Sequence, residues 1–205
     1  MTYIERYFAQ IEAVAKHFKQ VFIVIVEGDS TDGTKEYLAE KPNELPSNMR
    51  LNVITYDLGG EKFGSVANPT RWSKLEACWN RAIENIQPTQ YVACVESDLI
   101  WNWGALQECL HHLNDYDVVF PMLYGQDHFY DTNGFRLPDG RRFNGQHPII
   151  PDWNGVRFVR IQTGGGLIVT TYQHIRHAKW QDECRLHFPP DTHLVADTEV
   201  RIYHP

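Results

Sequence analysis

Apolar residues in the opening stretch YIERYFAQIEAVAKHFKQ fall at Ile4, Phe8, Ile11, Val14, Ala15 and Phe18, the three-and-four spacing of one helix face. The period then breaks. Residues 21–26, VFIVIV, form a continuous β-branched run, which predicts a strand covered on both faces in a parallel or mixed sheet. The acidic stretch EGDSTDGT follows, and its Asp, Ser and Thr residues are N-cap candidates for a helix over KEYLAE. LNVITYDL predicts a second strand, RWSKLEACWNRAIENI a helix and YVACVESDLI a third strand. This βαβαβ rhythm favours an α/β domain with a mostly parallel sheet flanked by helices, and ligands in such sheets bind beyond the carboxyl ends of the strands.

The second half is less regular. WGALQECLHHLND predicts a helix and YDVVFPML a strand. Residues 124–155 then lose all period and fill with Gly, Pro, Asn, Asp and aromatics, so a long functional loop or irregular hairpin is expected there. VRFVRIQTGGGLIVT returns to strand, TYQHIRHAKW predicts a helix, and VADTEVRIYHP a closing strand that ends in His204.

Composition narrows the function classes. With 205 residues, 42% of them hydrophobic and 13% aromatic, the chain can bury the core of one globular domain. A net charge of −7 argues against nucleic acid as a partner, because a polyanion needs a basic surface, while a small anion needs only a local cation. No apolar run approaches the roughly 18 residues of a membrane span, and the N-terminus carries no signal-peptide pattern. Cys78, Cys94, Cys109 and Cys184 form no C-x-x-C pair and are expected as reduced, mostly buried thiols. A soluble, cytoplasmic protein is the expectation.

The chemistry concentrates in VACVESDLIW. Here a strand-like run ends in two acids, Glu96 and Asp98, around Ser97. Carboxylates at the edge of a core repel each other and lose hydration, so a cation or hydrogen-bond donors should meet them. At a strand terminus the two-residue period points both side chains to the same side, so the pair can grip one ligand or one divalent ion; Mg²⁺ or Mn²⁺ suits such oxygen donors.

Taken in order, the motifs resemble the GT-A glycosyltransferases, with wording nearest the family 2, mannosyltransferase-like branch. VFIVIVEGDSTDGTKEYL is similar to their nucleotide-binding strand, acidic turn and helix start; YVACVESDLIW to their D-x-D strand; TGGGLIVT to their acceptor-side glycine segment; and VRIYHP to their late metal-binding histidine. The resemblance implies a single GT-A-like domain over 1–205, with a nucleotide-binding half at 1–120 and an acceptor-side half at 121–205 that carries the long loop. It also implies transfer of a hexose from a nucleoside-diphosphate sugar, UDP-glucose or a similar UDP-hexose, to a hydroxyl of a carbohydrate, lipid or other acceptor, with Mn²⁺ or Mg²⁺ as cofactor.

By the same resemblance Glu27, Asp29 and Ser30 would bind the nucleotide, together with Glu96, Ser97 and Asp98, with Glu96 at the ribose or metal shell. Asp98, His204 and Glu96 would hold the metal. Arg71 and Lys74 are expected to contact the donor diphosphate. Gly164, Gly165 and Gly166, with Trp153, would face sugar or acceptor. The general base of an inverting reaction has no clean match; Asp182 and Glu183 in WQDECRLHF come nearest by order, and Asp152 in PDWNG is the second choice. The family's nucleotide-binding strand before its first helix also has no counterpart in these residues.

Two other functions compete. A nucleotidyltransferase would want a basic glycine-rich loop after the first strand, where EGDSTDG is acidic; a non-catalytic nucleotide- or sugar-binding module would retain the site without the reaction. Individual residues also have plainer explanations. The 27–34 stretch can be only a capped helix start, the glycines a tight backbone approach, and His204 a frayed end. His174 and His177 with Cys184 nearby are an alternative zinc set. Of the aromatics Trp72, Trp101, Trp103, Phe129, Tyr130 and Trp153, most are expected in the core, with Phe129 and Trp153 the first candidates for sugar stacking.

Overall fold

The computed structural model describes residues 2–60, 68–125, 129, 134–142 and 155–205. The predicted opening helix is α1, Tyr3–Ala15; Thr2 and Glu5 close a reciprocal capping box at its start, and Phe8, Ile11, Val14 and Ala15 are buried. It leads into β1, Val21–Glu27, then α2, Thr34–Glu40, and β2, Met49–Thr55. The caps of α2 differ in detail from expectation: Gly33 occupies the N-cap at φ 90°, and Asp32 Oδ1 accepts from Thr34 N. Helix α3, Pro69–Glu84, starts at Asn68, whose Oδ1 accepts from Thr70 N and Arg71 N. Next come β3, Tyr91–Val95, α4, Trp103–His112, and β4, Val118–Tyr124.

Beyond residue 155 the chain forms β5, Phe158–Arg160, β6, Leu167–Thr171, the single turn α5, Tyr172–Ile175, β7, Lys179–Gln181, β8, Arg185–His187, and β9, Leu194–Tyr203. The helix predicted over TYQHIRHAKW therefore stops after one turn, and its end turns into the β7–β8 hairpin.

The architecture is mixed α/β, but the main sheet is not mostly parallel. Strands β1 and β2 pair parallel in a sheet of two, whereas the five-stranded sheet runs β3-β6-β4-β9-β5 and only β4 and β9 are parallel neighbours. The reason is β6, which returns between β3 and β4 antiparallel to both. Nor is β1 the fully covered strand its apolar run predicts: only Ile23 and Glu27 are buried, and Phe22 is exposed.

Alternation along β4, β6 and β9 divides the core between the two faces of this sheet. Val119, Leu123, Leu167, Val169, Val195 and Ile202 pack with α1, α4 and Ile23 of β1. Val118, Phe120, Met122, Ile168, Leu194 and Ala196 pack with Ile175, the β7–β8 hairpin and Phe129 and Phe135. Register between β4 and β9 shifts after Pro121: Pro121 lies opposite Asp197 and Met122 opposite Arg201. Pro121 offers no ladder N–H, and the fully buried Asp197 turns its Oδ1 back onto Glu199 N, so the carboxylate stitches the irregularity closed. Among the described residues no helix is long and apolar enough to cross a membrane.

Candidate functional site

The two acids of VESDL do not follow the strand period. β3 ends at Val95, and Glu96 through Asp98 form a turn in which Leu99 N donates to Glu96 O at 3.4 Å. The turn sends the carboxylates to different partners. Glu96 Oε1 accepts from Gly166 N at 3.4 Å, while Asp98 Oδ2 lies 3.1 Å from His204 Nε2, just past the end of β9. Residues 106 positions apart are thus joined, because Ile100 and Tyr203 exchange both backbone hydrogen bonds, Ile100 N to Tyr203 O at 2.7 Å and the reverse at 2.9 Å.

Helix α1 fixes the turn from the other side. Arg6 Nη2 donates to Asp98 O at 2.6 Å, Gln10 Nε2 donates to Leu99 O, and Gln10 Oε1 accepts from Trp101 N. Sequence reasoning missed Arg6 and Gln10; their only signal is an i, i+4 spacing on the polar side of α1, which ordinarily marks a solvated face.

The Asp98 carboxylate and the His204 imidazole remain partly open, at 42% and 24% side-chain exposure, so a ligand can reach both. In the tautomer whose Nδ1–H donates to Pro205 O at 3.1 Å, Nε2 turns its lone pair toward Asp98. Two acceptors that close are favourable with a cation between them. One imidazole and one carboxylate fit Mn²⁺ or Mg²⁺ when substrate oxygens and water complete the shell. Among the described residues no group of three or more His, Cys, Asp or Glu gathers as a metal centre.

At the tip of β1, Glu27 is buried; its Oε1 accepts from Ser30 N at 2.7 Å, and its Oε2 has no hydrogen bond although Lys35 Nζ stands 3.8 Å away. A buried carboxylate oxygen without a donor offers an acceptor to a ligand. Asp29, at φ 60°, is engaged with its own fold: Oδ2 accepts from Leu58 N and Gly60 N, and these amides hold its carboxyl below the usual range. Lys74 Nζ donates to Leu58 O at 2.6 Å beside it, while Arg71 lies close enough to Cys184 to act on its thiol. Ser97 is exposed in the turn.

Gly164, Gly165 and Gly166 are buried rather than presented as an open surface. A Cβ on Gly164 would sit 2.7 Å from Phe120 Cδ1, and Gly166 adopts φ +75° with Leu123 against it, so close packing alone accounts for these two glycines.

Asp182, Glu183 and Cys184 form the tip of the β7–β8 hairpin, all three at positive φ, a conformation costly for residues other than glycine. The tip is held from outside: Cys184 N donates to Glu76 Oε1, and Asn80 on α3 brackets Trp180 with a hydrogen bond from each end of its amide. Glu183 Oε2 lies within 3.7 Å of the guanidinium groups of Arg136, Arg142 and Arg185, which bind the anion a base would need free. Asp182 is exposed, 3.5 Å from His187 Nε2. Asp152, Trp153 and Tyr130 lie outside the described residues.

Burial pushes His187 below its ordinary value of 6.5, with Asp182 opposing the shift. On acidification the unfolded chain therefore takes up this proton first. The contribution of His187 to stability is complete above about pH 6.5 and erodes below it. The urea midpoint of wild type is expected to fall between pH 7.5 and 5 more steeply than that of His187→Gln; parallel profiles would contradict this. Burial also pushes the Cys94 and Cys184 thiols up to about 12, which disfavours the nucleophilic thiolate at both.

The remaining candidates separate. His174 Nε2 faces Asp117 Oδ1 at 3.3 Å and His177 Nε2 accepts from Arg176 Nε, so the alternative zinc set does not assemble. Phe129 is fully buried against Tyr124 and Phe135 and presents no face to a sugar; Trp101 is core, and Trp103 stacks on His17. No protein-family model matches the chain, and a search of curated proteins finds no match.

Proposed function

We propose that this chain is a metal-dependent glycosyltransferase of GT-A-like fold, moving a hexose from a nucleoside-diphosphate sugar, with UDP-hexose the donor of choice, to a hydroxyl acceptor. The observation that carries this reading is the 3.1 Å approach of Asp98 Oδ2 to His204 Nε2, between the turn after β3 and the end of β9. Mn²⁺ or Mg²⁺ bound there supplies Lewis acidity to the diphosphate that departs from the sugar.

The chain's own groups have separate tasks. Asp98 and His204 would hold the ion, through a carboxylate oxygen and an imidazole nitrogen. Arg6 and Gln10 hold the Asp98–Trp101 backbone so that the carboxylate keeps its distance from the imidazole. Glu27 keeps a buried Oε2 without a hydrogen-bond donor, an acceptor for an N–H or O–H group of the nucleoside, and Lys74 and Arg71 stand at the start of α3 where diphosphate charge is favoured.

The direct test is release of UDP from UDP-glucose and UDP-galactose in Mn²⁺ buffer, with and without a mixture of methyl glycosides as acceptors. The expected result is acceptor-stimulated UDP release that EDTA abolishes. UDP binding without any release would leave a binding module in place of the enzyme.

A further inference from the structure

Three guanidiniums converge on one oxygen at the tip of the β7–β8 hairpin. Glu183 Oε2 lies 3.2 Å from Arg142 Nη2, 3.4 Å from Arg185 Nη1 and 3.7 Å from Arg136 Nη2, and of the three only Arg142 donates a hydrogen bond to it. The arginines come from two strands of chain that the backbone locks together. Arg136 and Arg142 oppose each other in an isolated bridge, and Arg136 also pairs with Thr163, donating from its N to Thr163 O at 3.0 Å and accepting at its O from Gln162 N at 2.7 Å. Arg185 opens β8, and Thr163 Oγ1 ties that strand to the same frame by donating to Leu186 O at 2.8 Å. Backbone hydrogen bonds, and not the carboxylate alone, therefore bring the three charges together.

Burial makes the arrangement demanding. The Arg136 and Arg185 side chains are 7% and 14% exposed, whereas Glu183 and Arg142, at 40% and 54%, form an open mouth above them. A guanidinium cannot shed its charge, so one taken out of water needs anions and acceptors around it. Glu183 meets that need incompletely: it gives all three arginines the same oxygen, and Arg185 Nε stays buried with no hydrogen-bond partner. His187, two residues along β8 and so on the same face, adds a second such atom in its Nε2. Glu183 is also held at φ 69°, between Asp182 and Cys184 at φ 53° and 61°, so the backbone is strained where it sets a carboxylate against the arginines. Apolar packing would serve stability as well as such an ion cluster does, so the strain and the unmet donor need another reason.

A phosphoryl group answers these features together. It presents three oxygens in place of one, carries nearly two negative charges at pH 7, and matches the N–H forks of arginine. We propose that Arg136, Arg142 and Arg185 form a receptor for a phosphoryl group, entered from the Arg142 side, with Arg185 Nε–H as a donor to the ligand and Glu183 as its competing internal anion. The receptor uses none of the residues assigned to the sugar donor and does not depend on the transferase reading.

The test is calorimetric titration of inorganic phosphate, glucose 6-phosphate and glucuronate, at fixed ionic strength, into wild type, Arg142→Gln, Arg185→Gln, Glu183→Gln and Arg71→Gln. Wild type and Arg71→Gln are expected to bind the phosphates alike, and about tenfold more tightly than glucuronate. Affinity for phosphate is expected to fall about tenfold in Arg142→Gln and in Arg185→Gln, and to rise about tenfold in Glu183→Gln, where the competing carboxylate is gone. Arg142 is more than half exposed, so its variant reports on the receptor even where Arg185→Gln fails to fold. With the receptor upheld, tighter glucose 6-phosphate than inorganic phosphate assigns it to an ester, and the reverse order to the free ion. No phosphate binding by wild type, or equal binding by wild type and Arg142→Gln, would overturn the receptor. A loss confined to Arg71→Gln would also overturn it, by moving the phosphoryl to the donor's site. Glucuronate bound as tightly as the phosphates would overturn the choice of phosphoryl, and weaker binding in Glu183→Gln would overturn the competing role of that carboxylate.

Discussion

Replacing Arg157 with methionine is expected to destabilise the protein by about 3 kcal/mol, because it strands the charge of a carboxylate that has no access to water. Asp197 is fully buried and takes hydrogen bonds from Arg157 Nε at 3.2 Å and Nη2 at 3.0 Å; it also accepts from Glu199 N and lies 3.6 Å from His112 Nε2. Arg157 itself is a third exposed and also reaches Glu108 and Glu199, so Asp197→Leu alone leaves a cation that water can still solvate. The asymmetry orders three variants: Arg157→Met is the least stable, Asp197→Leu loses less, and the double variant recovers part of the Arg157→Met loss. For a chain of this size the largest loss corresponds to a melting temperature lower by roughly 6–12 °C. Calorimetry that found Arg157→Met as stable as wild type would show that Asp197 finds other compensation.

Asp98→Ala is expected to lower acceptor-dependent UDP release by about two to three orders of magnitude with little change in folding stability. Charge developing on a leaving diphosphate is the largest electrostatic demand of the proposed reaction, and groups that stabilise such charge are worth factors of this size. Asp98 is half-exposed and its carboxylate holds no part of the core, so its loss should not disturb the sheet. Its backbone carbonyl, the group Arg6 grips, is unchanged by the substitution. A variant that turns over at the wild-type rate would place the chemistry elsewhere.

Much of the scaffold was legible because each element carries its own period. α1, α3 and α4 announce themselves at helical spacing, and β1, β3 and β4 as apolar runs of strand length. What the periods did not contain was partnership. The antiparallel insertion of β6 between β3 and β4 is decided by long-range packing, and nothing in LIVTT itself distinguishes the two directions. The β7–β8 hairpin was missed for a local reason: its tip, Asp182 to Cys184, carries positive φ without a glycine or asparagine to mark it, and is held there by Glu76 and Asn80 on α3.

The site was legible in the same uneven way. Asp98 and His204 were paired through the order of motifs, and they stand within hydrogen-bonding distance. Glu96 was grouped with them by a strand period that the turn after Val95 cancels, and it faces Gly166 instead. Gly164 and Gly166 read as a possible sugar surface until the Phe120 and Leu123 side chains against them supplied a packing reason.

A divalent cation joining Asp98 and His204 to the donor's phosphates is the centre of the proposed reaction. Melting curves of wild type and Asp98→Ala, each with UDP alone, Mn²⁺ alone and both together, test this most directly. The prediction is a shift in wild type that needs both ligands and is absent in Asp98→Ala. Equal shifts in the two proteins would contradict it.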